Sequence, residues 1–176
     1  MRICFALLLV SVATAANAQG QDDWRVILNG RAVHLNAARE WNEHNWGLGV
    51  EREFDSGERW VKVALANGFK DSTGNPSYMA GGSVKRRFRL PSVSDSFYVD
   101  FGVVAFLMER EDVNSKRPFP GILPALTVGT RNLALNATYM SDSAVERVSG
   151  IPIKDPTMTG VLFLQIKLNP RLLAPR

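Results

Sequence analysis

Two histidines, one Asp-Ser pair and a cluster of prolines are the residues of this chain with chemistry to offer. His34 ends an alternating stretch, and His44 sits in a polar segment beside Glu43 and Asn45. A second alternating stretch ends in Phe69-Lys70-Asp71-Ser72. A histidine, an aspartate and a serine at one place supply a base, an orienting carboxylate and a hydroxyl, the requirements of acyl transfer. Each also has a plainer use: a rim histidine hydrogen-bonds at a surface, and Asp-Ser after a strand is ordinary turn chemistry. Pro118, Pro120 and Pro124 cannot donate to a β-ladder, so they either interrupt pairing or shape a loop and an edge.

Whether these residues meet depends on the elements that carry them. Alternating β-branched, aromatic and small or polar residues predict strands near 24–35, 46–54, 59–69, 77–89, 97–108, 119–129, 133–140 and 160–168. The connections alternate in length. Asp55 to Glu58, Leu90 to Ser96 and Thr130 to Asn132 are short, whereas Asn36 to Asn45, Lys70 to Pro76, Glu109 to Pro118 and Ser141 to Thr159 are longer. Short turns at one end and long loops at the other describe an eight-stranded antiparallel outer-membrane β-barrel, an all-β fold. A soluble β-sandwich is the competing fold. Against it stands one apolar face, such as Phe97, Val99, Phe101, Val103, Ala105 and Leu107, which suits lipid better than water.

The opposite face predicts the bore. With both termini periplasmic, charged residues gather at the lower end: Glu51, Glu53, Lys62, Lys85, Arg87, Asp100 and Lys167. Small or apolar residues line the upper end, among them Gly47, Gly49, Ala64, Ala66, Gly68, Gly81, Gly102, Val104, Phe106, Leu123, Ala125 and Phe163. This is a salt-bridged floor under an apolar cavity, fitted to a hydrocarbon chain. A narrow barrel packed solid by its own side chains is the alternative. Ser72 shares the parity of Lys62, Ala64, Ala66 and Gly68 and is expected to cap the cavity. Unbroken parity in strand 1 sends Arg31 and Val33 inward and His34 to the lipid, so an inward His34 requires a β-bulge near Gly30.

Residues 1–18 read as a cleaved signal peptide: Arg2, the apolar run Ile3 to Val12, then Ala16-Asn17-Ala18 before Gln19. Residues 19–176 then form one domain, and nothing in it is long and apolar enough for a spanning helix. Cys4, the single cysteine, leaves with the leader, so no disulfide or thiol chemistry is expected. The net charge of +4 includes Arg2 and is too small to argue for nucleic acid. No metal site or other cofactor is expected.

The chain also resembles a family. Phe69-Lys70-Asp71-Ser72 is similar to the FKDS segment of the lipid A palmitoyltransferases (PagP-type), and Asn42-Glu43-His44-Asn45-Trp46-Gly47 resembles their NERPWG entry to strand 2. Arg117-Pro118-Phe119-Pro120-Gly121-Ile122-Leu123-Pro124 resembles their proline-rich strand 6, and Ala137-Thr138-Tyr139 their MTY segment. The resemblance runs from about His34 to Leu168. It implies a phospholipid:lipid A acyltransferase, with membrane lipids as its partners: a glycerophospholipid donor giving its sn-1 acyl chain and a lipid A acceptor. It carries catalytic roles onto His34, Asp71 and Ser72, a lateral lipid path onto Pro118, Pro120 and Pro124, and the cavity floor onto Ser83, where enterobacterial members have glycine. Two features depart from it. Only Gln19 to Asp23 precede strand 1, where enterobacterial members carry an amphipathic helix, and a shorter first outer loop makes the placement of His34 depend on a gap. Either Ser72 or His34 could initiate the reaction. The barrel is expected to be a monomer. A lipid A deacylase and a non-enzymatic structural or adhesion barrel are the competing functions.

Overall fold

The computed structural model describes residues 23–54, 59–111, 113–144, 155 and 157–172. The leader expected at 1–18, the Asp55 to Glu58 turn and most of the Ser141 to Thr159 loop lie outside them. Eight strands follow one another: β1 (Asp23–Leu35), β2 (His44–Phe54), β3 (Trp60–Lys70), β4 (Pro76–Arg89), β5 (Tyr98–Arg110), β6 (Phe119–Gly129), β7 (Leu133–Ser141) and β8 (Gly160–Leu168). Each pairs antiparallel with its sequence neighbours, and β1 closes on β8, so the sheet has no edge. The strands run from 9 to 14 residues, long enough for tilted strands to cross a bilayer.

The barrel is inverted relative to a water-soluble protein. Trp46, Phe101, Leu107 and Ile122 point outward and are 58–68 % exposed, while Glu53 and Asp100 in the bore are fully buried. Only a hydrocarbon surround makes that distribution favourable.

In β1 the pairing with both neighbours slips between Asn29 and Arg31. Arg31 is exposed and Ala32 is buried, as a bulge at Gly30 requires. The side chain of His34 is consequently only 4 % exposed.

β3 corrects the expected parity. Across the β2 ladder Leu65 faces Glu51 and Val63 faces Glu53, and directly paired residues share a face. Val61, Val63, Leu65, Asn67 and Phe69 therefore point into the bore. Lys62, Ala64, Ala66 and Gly68 point to lipid, so Ala66 and Gly68 do not line the cavity. Lys62 pairs with outward Phe54 near the end of the strand, where its apolar stem can lie along the barrel and its ammonium reach the head groups.

Candidate active site

The floor of the bore is a continuous chain of hydrogen bonds across six strands. Lys85 donates to the Thr127 hydroxyl (3.1 Å), Thr127 to Asn136 (2.8 Å), Asn136 to Gln165 (2.8 Å) and Gln165 to Asn29 (2.7 Å). Asn29 and Asn67 then exchange two further bonds of 2.6 and 2.9 Å. Asn67 reaches Asn29 past β2 because Gly49 lies between them. A methyl group at Gly49 would run into the Asn67 amide. Toward the short turns lies an ionic layer. Lys167 pairs with Glu51 (2.7 Å), and Arg87 holds Asp100 (2.7 Å) and Glu53 (3.1 Å) while its guanidinium lies over the Tyr98 ring. Removing one member would strand a buried charge, so the base is sealed.

Above this floor is a cavity of about 160 Å³, an order of magnitude more than one water needs. Leu65, Met79, Val104, Leu123, Ala125 and Phe163 line it, with Ser83 among the lowest residues of its wall. The hydroxyl of Ser83 is buried and has no hydrogen-bond partner among the described residues. Glycine leaves less room here than parity implies, since the Phe106 ring fills the space over Gly121 and its backbone closes on Gly81. Gly81 faces the bore but packs beneath Phe106 instead of opening it.

The wall is broken on one side. β5 pairs with β6 along its whole length, but β7 pairs only with Ala125–Gly129. Pro124 is the first residue past the last β6–β7 pair. Ile122, two residues on, both lines the cavity and is 65 % exposed, so the bore reaches lipid there. Pro120 and Pro124 flank this break from the lipid side, and Pro118 lies in the exposed loop leading into β6.

At the outer mouth, Ser72 lines the cavity and its hydroxyl has no hydrogen-bond partner among the described residues. Its neighbour Asp71 is buried and fully engaged. One carboxylate oxygen accepts from the Thr73 N–H (2.9 Å), the Thr73 hydroxyl (2.7 Å) and the Asn75 N–H (3.0 Å). The other accepts from the Ser77 hydroxyl (3.1 Å) and pairs with Arg110 (3.3 Å). Burial opposes ionisation of Asp71, but the Thr73 hydroxyl bond, the Arg110 charge and the backbone donors outweigh it and hold the carboxyl below its ordinary value. The entry to β2 latches this turn in place. Asn42 binds the carbonyls of Asp71 (2.9 Å) and Ser72 (3.1 Å), and Asn45 binds that of Lys70 (2.7 Å). Those two asparagines were not singled out from the sequence, although both lie in the segment resembling the family motif.

His34 faces an adjoining cleft walled by the first outer loop, with Trp41, Asn42, Glu43 and His44 around it. Its ring stacks on Trp41, and its Nδ1 lies 3.9 Å from Oε1 of Glu43. The His34 backbone N–H donates to that same oxygen (3.3 Å), while the other oxygen takes two bonds from Arg31 (3.1 and 2.7 Å). The Arg31 bonds hold Glu43 below the usual carboxylate range. The structure thus places Ser72 and Asp71 at one mouth and His34 beside it, joined by Asn42, which lines the His34 cleft and binds the carbonyls of Asp71 and Ser72. Among the described residues it forms no direct bond between His34 and either Asp71 or Ser72. His44 is exposed, points outward and stacks on Trp46.

A closed barrel facing lipid, with an apolar bore, a sealed polar floor and a serine at an open mouth, defines an outer-membrane protein built to admit an acyl chain. Residues 26–147 match the family of the antimicrobial peptide resistance and lipid A acylation protein PagP. The lipid A acyltransferase PagP of Bordetella bronchiseptica is 30 % identical over 162 residues, 78 % of this chain and 86 % of that protein. That of Bordetella pertussis is 33 % identical over 103 residues, 58 % of this chain and 54 % of the relative. That of Laribacter hongkongensis is 37 % identical over 102 residues, 57 % of this chain and 47 % of the relative. The chain belongs to the PagP family.

Proposed function

We propose that the chain is an outer-membrane acyltransferase that moves the sn-1 acyl chain of a glycerophospholipid onto a hydroxyl group of lipid A, acting as a monomer. The observation that carries this reading is the Ser72 hydroxyl, held without a hydrogen-bond partner among the described residues at the mouth of an apolar bore that also opens sideways at Pro124.

The donor chain enters through the β6–β7 break and lies in the bore with its ester at the rim, beside Ser72. His34 takes the proton of the attacking hydroxyl. The hydroxyl oxygen bonds to the ester carbonyl carbon, the bond from that carbon to the glycerol oxygen breaks, and the proton passes to the glycerol oxygen, releasing a lysophospholipid. Ser72 either forms the acyl intermediate itself or steadies the carbonyl under attack. Asp71 acts through the turn: its carboxylate knots Thr73, Asn75 and Ser77 together and thereby fixes where Ser72 stands. A water molecule in place of the lipid A hydroxyl would give hydrolysis, the deacylase reading.

The test is mass spectrometry of lipid A incubated with the purified barrel and phospholipid. A gained acyl mass with a matching lysophospholipid supports transfer. A lost acyl mass indicates deacylation, and no change for the folded wild type overturns the enzymatic reading. His34→Ala and Ser72→Ala are expected to remove the product while the barrel still resists detergent, because neither side chain belongs to the hydrogen-bonded and ionic floor that ties the strands together.

A further inference from the structure

An imidazole acting as a base needs its second ring nitrogen held by an acceptor. That contact fixes the tautomer and aims the reactive nitrogen at the substrate. In this barrel Nδ1 of His34 is buried and has no hydrogen-bond partner among the described residues. The carboxylate facing it is Glu43, at 3.9 Å, already bound to the backbone N–H of the same histidine. Asp71 is not free for this task, because its oxygens serve Thr73, Asn75, Ser77 and Arg110. We propose that Glu43 is the positioning carboxylate of His34. This rests on the acyltransferase reading and names a residue that acts through its base.

The surroundings support the assignment. Arg31 grips Glu43 through Nε and Nη2, so the carboxylate is placed as well as ionised. Trp41 covers one face of the imidazole, its plane within 9° of the ring, and leaves the in-plane nitrogens to choose their partners. A small rotation of either side chain brings Oε1 from 3.9 Å to hydrogen-bond distance. The other charged groups acting on His34 are Arg110, on the Asp71 side, and Asp155, across the first loop. Glu43 is the carboxylate within 4 Å of the ring.

The experiment measures initial rates of transfer from a phosphatidylcholine to lipid A, across pH, for the wild type, Glu43→Gln, Glu43→Asp and His34→Ala. Heat-modifiable gel migration reports the barrel in each. Glu43→Gln is expected to lower kcat about tenfold or more with KM little changed. Because a carboxylate stabilises the imidazolium, its removal also moves the acidic limb of the profile to lower pH. Glu43→Asp should restore part of both. A wild-type rate and profile in Glu43→Gln, with His34→Ala inactive, would overturn the inference and leave the acyltransferase reading standing. So would a loss equal at every pH, which marks a merely structural residue. Full activity in His34→Ala would overturn both the inference and the role of His34, and no transfer by the folded wild type would overturn the reading beneath them.

Discussion

The indole of Trp41 lies flat against the imidazole of His34, with ring centroids 5.2 Å apart and planes within 9°. A loop far along the chain holds the indole there. The Asp155 carboxylate accepts from the N–H groups of Ala38 (3.0 Å) and Arg39 (3.2 Å) and from the indole Nε1 of Trp41 (3.5 Å). Its second oxygen takes the Thr157 hydroxyl (2.9 Å), and Thr159 donates its N–H to the Leu35 carbonyl (2.9 Å). The first and last outer loops are therefore clasped together above the candidate base.

Asp155→Ala is expected to release this clasp and lower kcat while the barrel survives. Burial alone would raise the Asp155 pKa, but the Thr157 hydroxyl and the loop N–H groups lower it to about 2. A depressed carboxylate stabilises above its unfolded value and loses that contribution as pH falls through the folded one. The clasp should thus persist to about pH 3. Trp41 fluorescence, obtained by difference against Trp41→Phe, should titrate near pH 2 in the wild type. An emission unchanged by Asp155→Ala would remove the clasp.

Asp71 affects stability as well as rate. Asp71→Ala removes the acceptor of the buried Ser77 hydroxyl along with the bonds it takes from Thr73 and Arg110, at a cost of about 1–3 kcal/mol for a buried group that loses its partner. Its folded pKa is lowered, so the wild type holds this contribution above the ordinary carboxylate value and loses it in acid. Urea unfolding in detergent at pH 7 and pH 3 is the measurement. The gap between wild type and variant should be larger at pH 7, and an equal gap at both would show that the turn does not depend on the charge.

Much of this was legible in the sequence, and the exceptions share a cause. Strand positions follow from local alternation, and the Gly30 bulge follows from requiring both Arg25 and His34 inside. β3 was not readable in the same way, because Val61, Val63 and Leu65 alternate with Lys62, Ala64 and Ala66, and apolarity alone sends the valines to lipid. The β2 register sends them inward instead. The chain that runs on from Lys85 to Asn67 was not readable for a related reason: beyond Lys85 its members are four amides and a hydroxyl on five strands, meaningful only once the barrel closes. In the sequence Glu43 is only a neighbour of His44 in a polar segment, and the turn of the first loop delivers it to His34.

The break between β6 and β7 should respond to its proline. Pro124→Ala returns a backbone donor at the end of the ladder, and a completed hydrogen bond contributes about 1 kcal/mol, roughly a fivefold shift toward the closed seam. Transfer should slow by a similar factor for phospholipid in bilayers, with the barrel slightly more stable to urea. The same substitution should matter less for a short, micelle-forming donor that can enter from the mouth. Equal rates for both donors in wild type and variant would mean that lipid does not pass at Pro124.

Acyl-chain selection should be read at Ser83. This residue is 7 % exposed, lines the cavity, and lies two positions from Lys85, which belongs to the floor. Its hydroxymethyl group occupies depth that a glycine would leave open, and its hydroxyl has no partner among the described residues that would draw it aside. Each methylene buried in the bore is worth about 0.8 kcal/mol, close to fourfold in relative rate, and one that meets a rigid floor loses this and adds strain. The wild type is expected to prefer a donor chain shorter than palmitate. Ser83→Gly should move the optimum to longer chains without changing the rate at the shorter optimum more than a few-fold. Phosphatidylcholines of graded chain length, assayed in parallel on the two proteins, make the comparison. If the hydroxyl only tops the polar floor and leaves the depth unchanged, the two profiles will coincide, and the limit of the bore must then be set by Lys85 and the amide chain below it.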